Sequence, residues 1–225
     1  MNTLLSLIDS IGGPVVAVLL LFSIAATTLI LLKLAATLVQ LPARNSTPKR
    51  LLAHLKKGEL KQLHLLSQRQ RNPHSQLIGD AVDLLQQQTL SKNDAQAEVI
   101  RKARDVAHAY SNYLRPLEVI ATLAPLLGLF GTVLGMIEAF KAMELAGAQV
   151  DPAVLSGGIW QALLTTAVGL GVAIPVSLLH SLFERRAEHQ VHSLQDDLGQ
   201  IFTYFANQVP EVVATNPIKS QRNAS

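Results

Sequence analysis

The chain alternates long apolar runs with stretches whose apolar residues recur every three or four positions. The first run, Pro14 to Leu32, is uncharged and ends at Lys33. The second, LEVIATLAPLLGLFGTVLGMIEAF, extends from Leu117 to Phe140, and the third, GGIWQALLTTAVGLGVAIPVSLLHSLF, from Gly157 to Phe183. A helix rising 1.5 Å per residue crosses the ~30 Å hydrocarbon core in about 20 residues, so each run predicts a transmembrane helix. The predicted fold class is all-α: an integral membrane protein with three transmembrane helices and long helical cytoplasmic extensions.

The second and third runs are not uniform leucine rods. Ala124, Gly128, Thr132 and Gly135 fall at steps of three and four, as do Ala162, Thr166, Gly169 and Ala173. Each set makes one narrow stripe on its helix. Small residues in a stripe let backbones approach closely, which matters in lipid, where no hydrophobic force pulls helices together. Gly131 belongs with the same packing residues. The stripes also carry Thr132 and Thr166 to membrane depth. Close packing, with each hydroxyl bonded to the carbonyl one turn back, and a shared, partly wet axis both account for the pattern.

In chain order, Leu4, Leu5, Ile8 and Ile11 predict a short interfacial helix ahead of the first span. The missing basic n-region and the long apolar run argue against a cleaved signal peptide. Thr47 with Pro48 predicts a helix start, and Gly58 its end. Leu60, Leu63 and Leu66 continue an apolar face to Asn72-Pro73. Leu77, Ile78, Ala81, Leu84 and Leu85 predict another amphipathic helix. Asn93 or Ser91 can cap a long helix whose apolar spacing (Ala103, Ala107, Tyr110, Leu114, Leu117) continues into the second span. Pro116 and Pro125 are expected to kink that helix rather than end it. The third helix, bent near Pro175, continues as an amphipathic helix through Leu194, Leu198, Ile201, Phe202 and Phe205 to about Val209. Beyond Pro210 the composition turns polar and predicts disorder. The expected divisions are 1–35, the outer helix and first span; 36–115, a helical cytoplasmic loop; and 116–142, the second span. A short periplasmic loop at 143–156, the third span at 157–184 and a cytoplasmic extension and tail at 185–225 follow.

Charge sets the orientation. Of the 19 Lys and Arg residues, fourteen lie between Lys33 and Arg115 and four follow the third span. Only Lys141 falls between the second and third spans. By the positive-inside rule the N-terminus is periplasmic and both the large loop and the C-terminus are cytoplasmic. This basic charge is a topology signal and not evidence for nucleic acid.

Chemistry is excluded more readily than assigned. Cysteine is absent, there is no phosphate-cradling glycine loop with a following Lys-Ser or Lys-Thr, and the seven histidines make no HExxH. His189 and His192 share a helix face, but no acidic residue is placed to complete a metal site with them; no metal is expected, no cofactor, and no catalytic residue. An enzyme is the least favoured class. A protein that moves protons through a bilayer usually carries a carboxylate or histidine at depth. Here Glu118 and Glu138 sit at opposite edges of the second span, and its centre and the third helix offer Thr132, Thr165, Thr166 and, somewhat outward, Gln161. A titrating group in any proton path must come from another subunit.

Together these features resemble the ExbB/TolQ/MotA family of proton-channel subunits. The resemblance covers the whole architecture and is sharpest in LAPLLGLFGTVLGMIEAF and GGIWQALLTTAVGLGVAIPV, with ExbB the nearest branch. It implies a homopentamer in the bacterial inner membrane around a pore that holds single helices of two ExbD-like subunits bearing an essential aspartate. It also implies that Thr132 and Thr166 face that aspartate, and that a TonB-like protein carries the work to an outer-membrane receptor. Each proton crossing 100 mV supplies about 2.3 kcal/mol for this. Many ExbB and TolQ chains have glutamate where this sequence has Gln161, whose amide can hydrogen-bond but not titrate. Gln161 is expected to be a pore-facing hydrogen bonder, the alternative being a polar residue that packs a helix end. A TolQ-like role in envelope integrity and a passive membrane scaffold are the alternatives. A MotA-like stator is disfavoured because it normally has an extra transmembrane helix.

Overall fold

The structure, a computed structural model, describes residues 13–39, 47–70, 72–87, 90–146 and 152–207. The expected helix near the N-terminus and the polar tail after Pro210 lie outside them. Among the described residues the fold is all-α, with no strand. Its helices are α1 (Gly13–Val39), α2 (Thr47–Lys56), α3 (Leu60–Gln68), α4 (Pro73–Gln86), α5 (Lys92–Ser111), α6 (Leu114–Ala146) and α7 (Pro152–Asn207). Three stretches are long and apolar enough to cross a membrane, one in α1, one centred on α6 and one in α7. The chain divides into two compact units, one comprising residues 1–44 and 103–193, the other 45–102 and 194–225.

In the first unit α1, α6 and α7 pack through two layers of apolar side chains. Leu19, Ala124 and Ala173 form one buried cluster, and Ala26, Leu117, Ile120 and Val176 form the next. A third cluster, Tyr110, Leu114 and Ala187, lies toward the basic end of the spans. At most 28% of the most apolar window of any span is buried inside the chain. Leu21, Ile24, Phe130, Ile137, Trp160 and Ile174 are all more than half exposed. In water such an area would be strongly unfavourable, so these faces require lipid or another protein surface.

The second unit is an amphipathic assembly with an ordinary core. Leu51, Leu55, Leu63, Ile78, Val82, Val99, Leu194 and Ile201 are fully buried. The α2 helix ends as its sequence predicts: Gly58 adopts φ +74°, and its N–H donates to Leu55 O at 2.9 Å. Asn72 caps α4, its Oδ1 accepting from the His74 N–H at 3.0 Å, with Pro73 in the first turn. Of the two caps considered for α5, Ser91 is the one used: its Oγ accepts from the Asp94 N–H at 3.2 Å. A polar pair is buried here too, His74 Nε2 lying 2.9 Å from Asp197 Oδ2. Leu66, expected on the apolar face of α3, is instead exposed, while Leu63 is fully buried.

The main departure concerns the helix expected to run unbroken into the second span. It breaks at Asn112–Tyr113, between α5 and α6, with Tyr113 at φ +68°. Pro116 supplies the reason. Its ring clashes with the carbonyl four residues back, that of Asn112, and it has no N–H to donate there. Pro116 therefore sits in the first turn of α6, where no intrahelical donor is needed. Pro125 and Pro175, by contrast, lie inside continuous helices. The α6 and α7 helices also extend further than expected at the far end, so that only residues 147–151 separate them.

Candidate functional site

The small-residue stripes of α6 and α7 meet each other within a single chain. A Cβ added to Gly169 would stand 2.7 Å from Ala124 O, and one added to Gly128 would stand 3.1 Å from Thr165 O and from Thr166 Cα. Further along, a Cβ on Gly135 or Gly158 would meet Ala162 Cβ or Ala139 Cβ at 2.8 Å. No other residue fits these positions without moving the helices apart. Ala124, Ala162 and Ala173 are buried in the same seam.

The close approach sets what the threonines do. Thr166 Oγ1 donates across the seam to Gly128 O at 2.9 Å. Thr165 Oγ1 donates to Ala162 O at 2.7 Å, one turn back, and also reaches Gly128 O at 3.2 Å. Thr132 Oγ1 donates to Leu129 O at 2.6 Å on its own helix. Thr165, expected beside the pore, is only 3% exposed and is surrounded by Gly128, Gly131 and Ala162. Thr132 and Thr166 remain partly accessible and Gln161 is exposed. Each hydroxyl proton is thus committed to a backbone carbonyl. A hydroxyl has two acceptor lone pairs besides its proton, so Thr132 and Thr166 can still accept a hydrogen bond from an incoming acid.

Two features escaped the sequence pattern. A cavity of about 330 Å³ lies at the α6–α7 junction end, lined by Pro14, Gly131, Gly135, Glu138, Gln161 and Thr165 among others. It brings together Glu138 and Gln161, which are distant in sequence, and helical periodicity gives no cross-helix register from which to foresee this. The second is Lys33, legible in the sequence only as the end of an apolar run. It is 7% exposed, and its Nζ donates to Tyr110 O at 2.6 Å and Asn112 O at 2.9 Å. It fills the acceptor that Pro116 leaves without a donor. Among the described residues no group of three or more His, Cys, Asp or Glu side chains is placed to hold a metal ion.

Comparison with known proteins identifies the family. Residues 69–196 match the MotA/TolQ/ExbB proton channel family. The biopolymer transport protein exbB1 of Vibrio cholerae is 37% identical over 94 residues, 42% of this chain and 41% of that protein. ExbB of Pseudomonas putida is 33% identical over 161 residues, 67% of this chain and 47% of the relative. TolQ, a Tol-Pal system protein of Haemophilus influenzae, is 37% identical over 90 residues, 40% of this chain and 37% of that protein. The matched stretches thus span less than half the length of each of these relatives. The family match covers more than half of the chain and takes in the second span, the α6–α7 seam and its threonines, and on that ground the chain belongs to the MotA/TolQ/ExbB proton channel family.

Proposed function

We propose that this protein is the proton-channel subunit of an inner-membrane motor. With an ExbD-like partner it couples the proton motive force to TonB-dependent outer-membrane uptake. The observation that carries the reading is family membership combined with a pair of accessible hydroxyls, Thr132 and Thr166, on helices with no carboxylate at their centre. A proton acceptor at that depth must then be supplied by a partner helix. The exposed apolar faces of α1, α6 and α7 support assembly into a ring, which we take to be a homopentamer holding two partner helices and engaging a TonB-like protein. The charge distribution supports a periplasmic N-terminus and a cytoplasmic C-terminus.

In this reading Thr132, Thr166 and Gln161 line the proton path, and Thr165 supports Thr166 from inside the seam. The hydroxyl geometry suggests how. Because Thr132 and Thr166 already donate to Leu129 O and Gly128 O, they are left as acceptors. They favour the protonated form of a partner carboxyl, which can donate to them, over its carboxylate, which cannot. Loss of the proton would break that bond and free the partner helix to shift against the ring. The Thr166→Val variant keeps the shape and removes the acceptor. We expect it to assemble with its partner and to lose proton-driven uptake by about a hundredfold, on the scale of a lost proton-transfer contact. Normal uptake by an assembled variant would support a passive scaffold instead. The similarity to TolQ favours, as a second reading, a motor serving envelope integrity. Deleting the gene and scoring uptake against detergent sensitivity separates the two.

A further inference from the structure

Apart from the charged and histidine residues at their edges, the spans contain one ionisable side chain that the mechanism above leaves unused. Across residues 14–32, 119–140 and 152–179, Glu138 is the sole acidic, basic or histidine residue. It lines the cavity of about 330 Å³ at the α6–α7 junction end, with Gln161 and Thr165 across from it on α7. Gly131 and Gly135 on α6 and Gly158 on α7 also line it, at positions where the two helices pack closely. A cavity of this size with polar groups on two walls has room for several waters. Neither α1 nor α7 presents a titratable side chain to it; Glu138 is exposed, as are Lys141 and Glu144, which follow on α6. None of the ion pairs among the described residues involves Glu138.

We infer that Glu138 is the proton-exchanging group at this end of the subunit, with the Gln161 amide as its hydrogen-bonding counterpart across the cavity. The carboxylate takes a proton from a hydronium ion admitted to the cavity, leaving water, and becomes the neutral acid. It returns that proton to water on the Gln161–Thr165 side and is carboxylate again, so that no net change remains on the chain. Gln161 cannot titrate, but it can orient the waters between. The division of labour places the acid on α6 and the amide on α7. Exchanging the two side chains should therefore preserve the function of the chamber, whereas a packing role would not survive the exchange.

This inference rests on the channel reading, and the test separates the two. The full chain is co-purified with its partner subunit, reconstituted in liposomes, and inward proton flux is read with an entrapped pH dye under a potassium-diffusion potential. The Glu138→Gln complex is expected to lose flux by at least about tenfold. The double variant Glu138→Gln, Gln161→Glu is expected to recover to within about threefold of wild type. An assembled Glu138→Gln complex with wild-type flux overturns the role of Glu138 while leaving the channel intact. A Glu138→Gln chain that fails to assemble, with no recovery in the double variant, shows a packing role and overturns it as well. A wild-type complex with no proton flux defeats the channel reading and this inference together.

Discussion

Gly169 shows how narrowly the seam between α6 and α7 is drawn. A methyl group there would stand 2.7 Å from the carbonyl oxygen of Ala124, a backbone atom that cannot swing aside. Relief requires the helices to separate, which would also lengthen the Thr166–Gly128 bond, now 2.9 Å. Gly169→Ala is therefore expected to destabilise the subunit by about 1–3 kcal/mol, the usual cost of overpacking. The check is the thermal midpoint of the detergent-solubilised protein, with Gly171→Ala as the control. Gly171 has nothing within 4 Å of an added Cβ, so it reads the helix-propensity effect alone. A Gly169→Ala midpoint that is no lower than that of the control would contradict the close approach. Thr165 makes the complementary point. Sequence spacing put it beside Thr166 as a polar residue at depth, yet adjacent positions on a helix differ by about 100° in direction. One hydroxyl is sealed against Gly128 and Gly131, while the other keeps partial access.

At the scale of elements the informative feature is the junction of α5 and α6. Apolar spacing alone reads straight through Asn112 and Tyr113, because the period of three and four residues is maintained on both sides. The backbone cannot follow, since Pro116 denies the Asn112 carbonyl its intrahelical donor. Lys33, from α1, donates to that carbonyl and to Tyr110 O, so a residue 77 positions away from Tyr110 caps the end of α5. The cation also lies favourably at a helix C-terminus. Lys33→Met keeps the length of the side chain and removes the donor. Amide hydrogen exchange in the last turn of α5 and at Asn112–Tyr113 is expected to quicken by about tenfold, consistent with a lost capping interaction of about 1–2 kcal/mol. Exchange in α4 should be unchanged. Equal protection at the junction in wild type and variant would mean that the break holds without the lysine.

At the scale of the whole molecule, the exposed apolar faces decide the argument. Every span leaves most of its apolar window uncovered within the chain, which lipid alone can solvate. The accessible side of Thr132 and Thr166, however, lies on helices that also bury a seam of small residues, and hydroxyls facing only lipid would gain nothing there. Assembly around an axis accounts for both. Native mass spectrometry of the detergent-extracted protein, co-expressed with an ExbD-like partner as proposed, is expected to give five copies of this chain with two of the partner. A monomer or dimer without partner would remove the shared axis, and the threonines would then serve helix packing only.

What the sequence determined by itself was the class of the molecule and most of its elements. Three apolar runs of bilayer length, a basic loop, amphipathic helices and their Gly and Pro boundaries are one-dimensional signals, because burial in lipid and helical periodicity act on residues close together in the chain. The stripes Ala124–Gly135 and Ala162–Ala173 were legible for the same reason. Tertiary structure decided everything that depends on how one helix turns toward another. It set Thr166 on Gly128 O, sealed Thr165, placed Lys33 on the carbonyls at the α5–α6 break, and put Glu138 and Gln161 in one cavity. These are contacts between residues tens of positions apart, and their geometry follows from the close approach of backbones, for which a sequence records the permission but not the register.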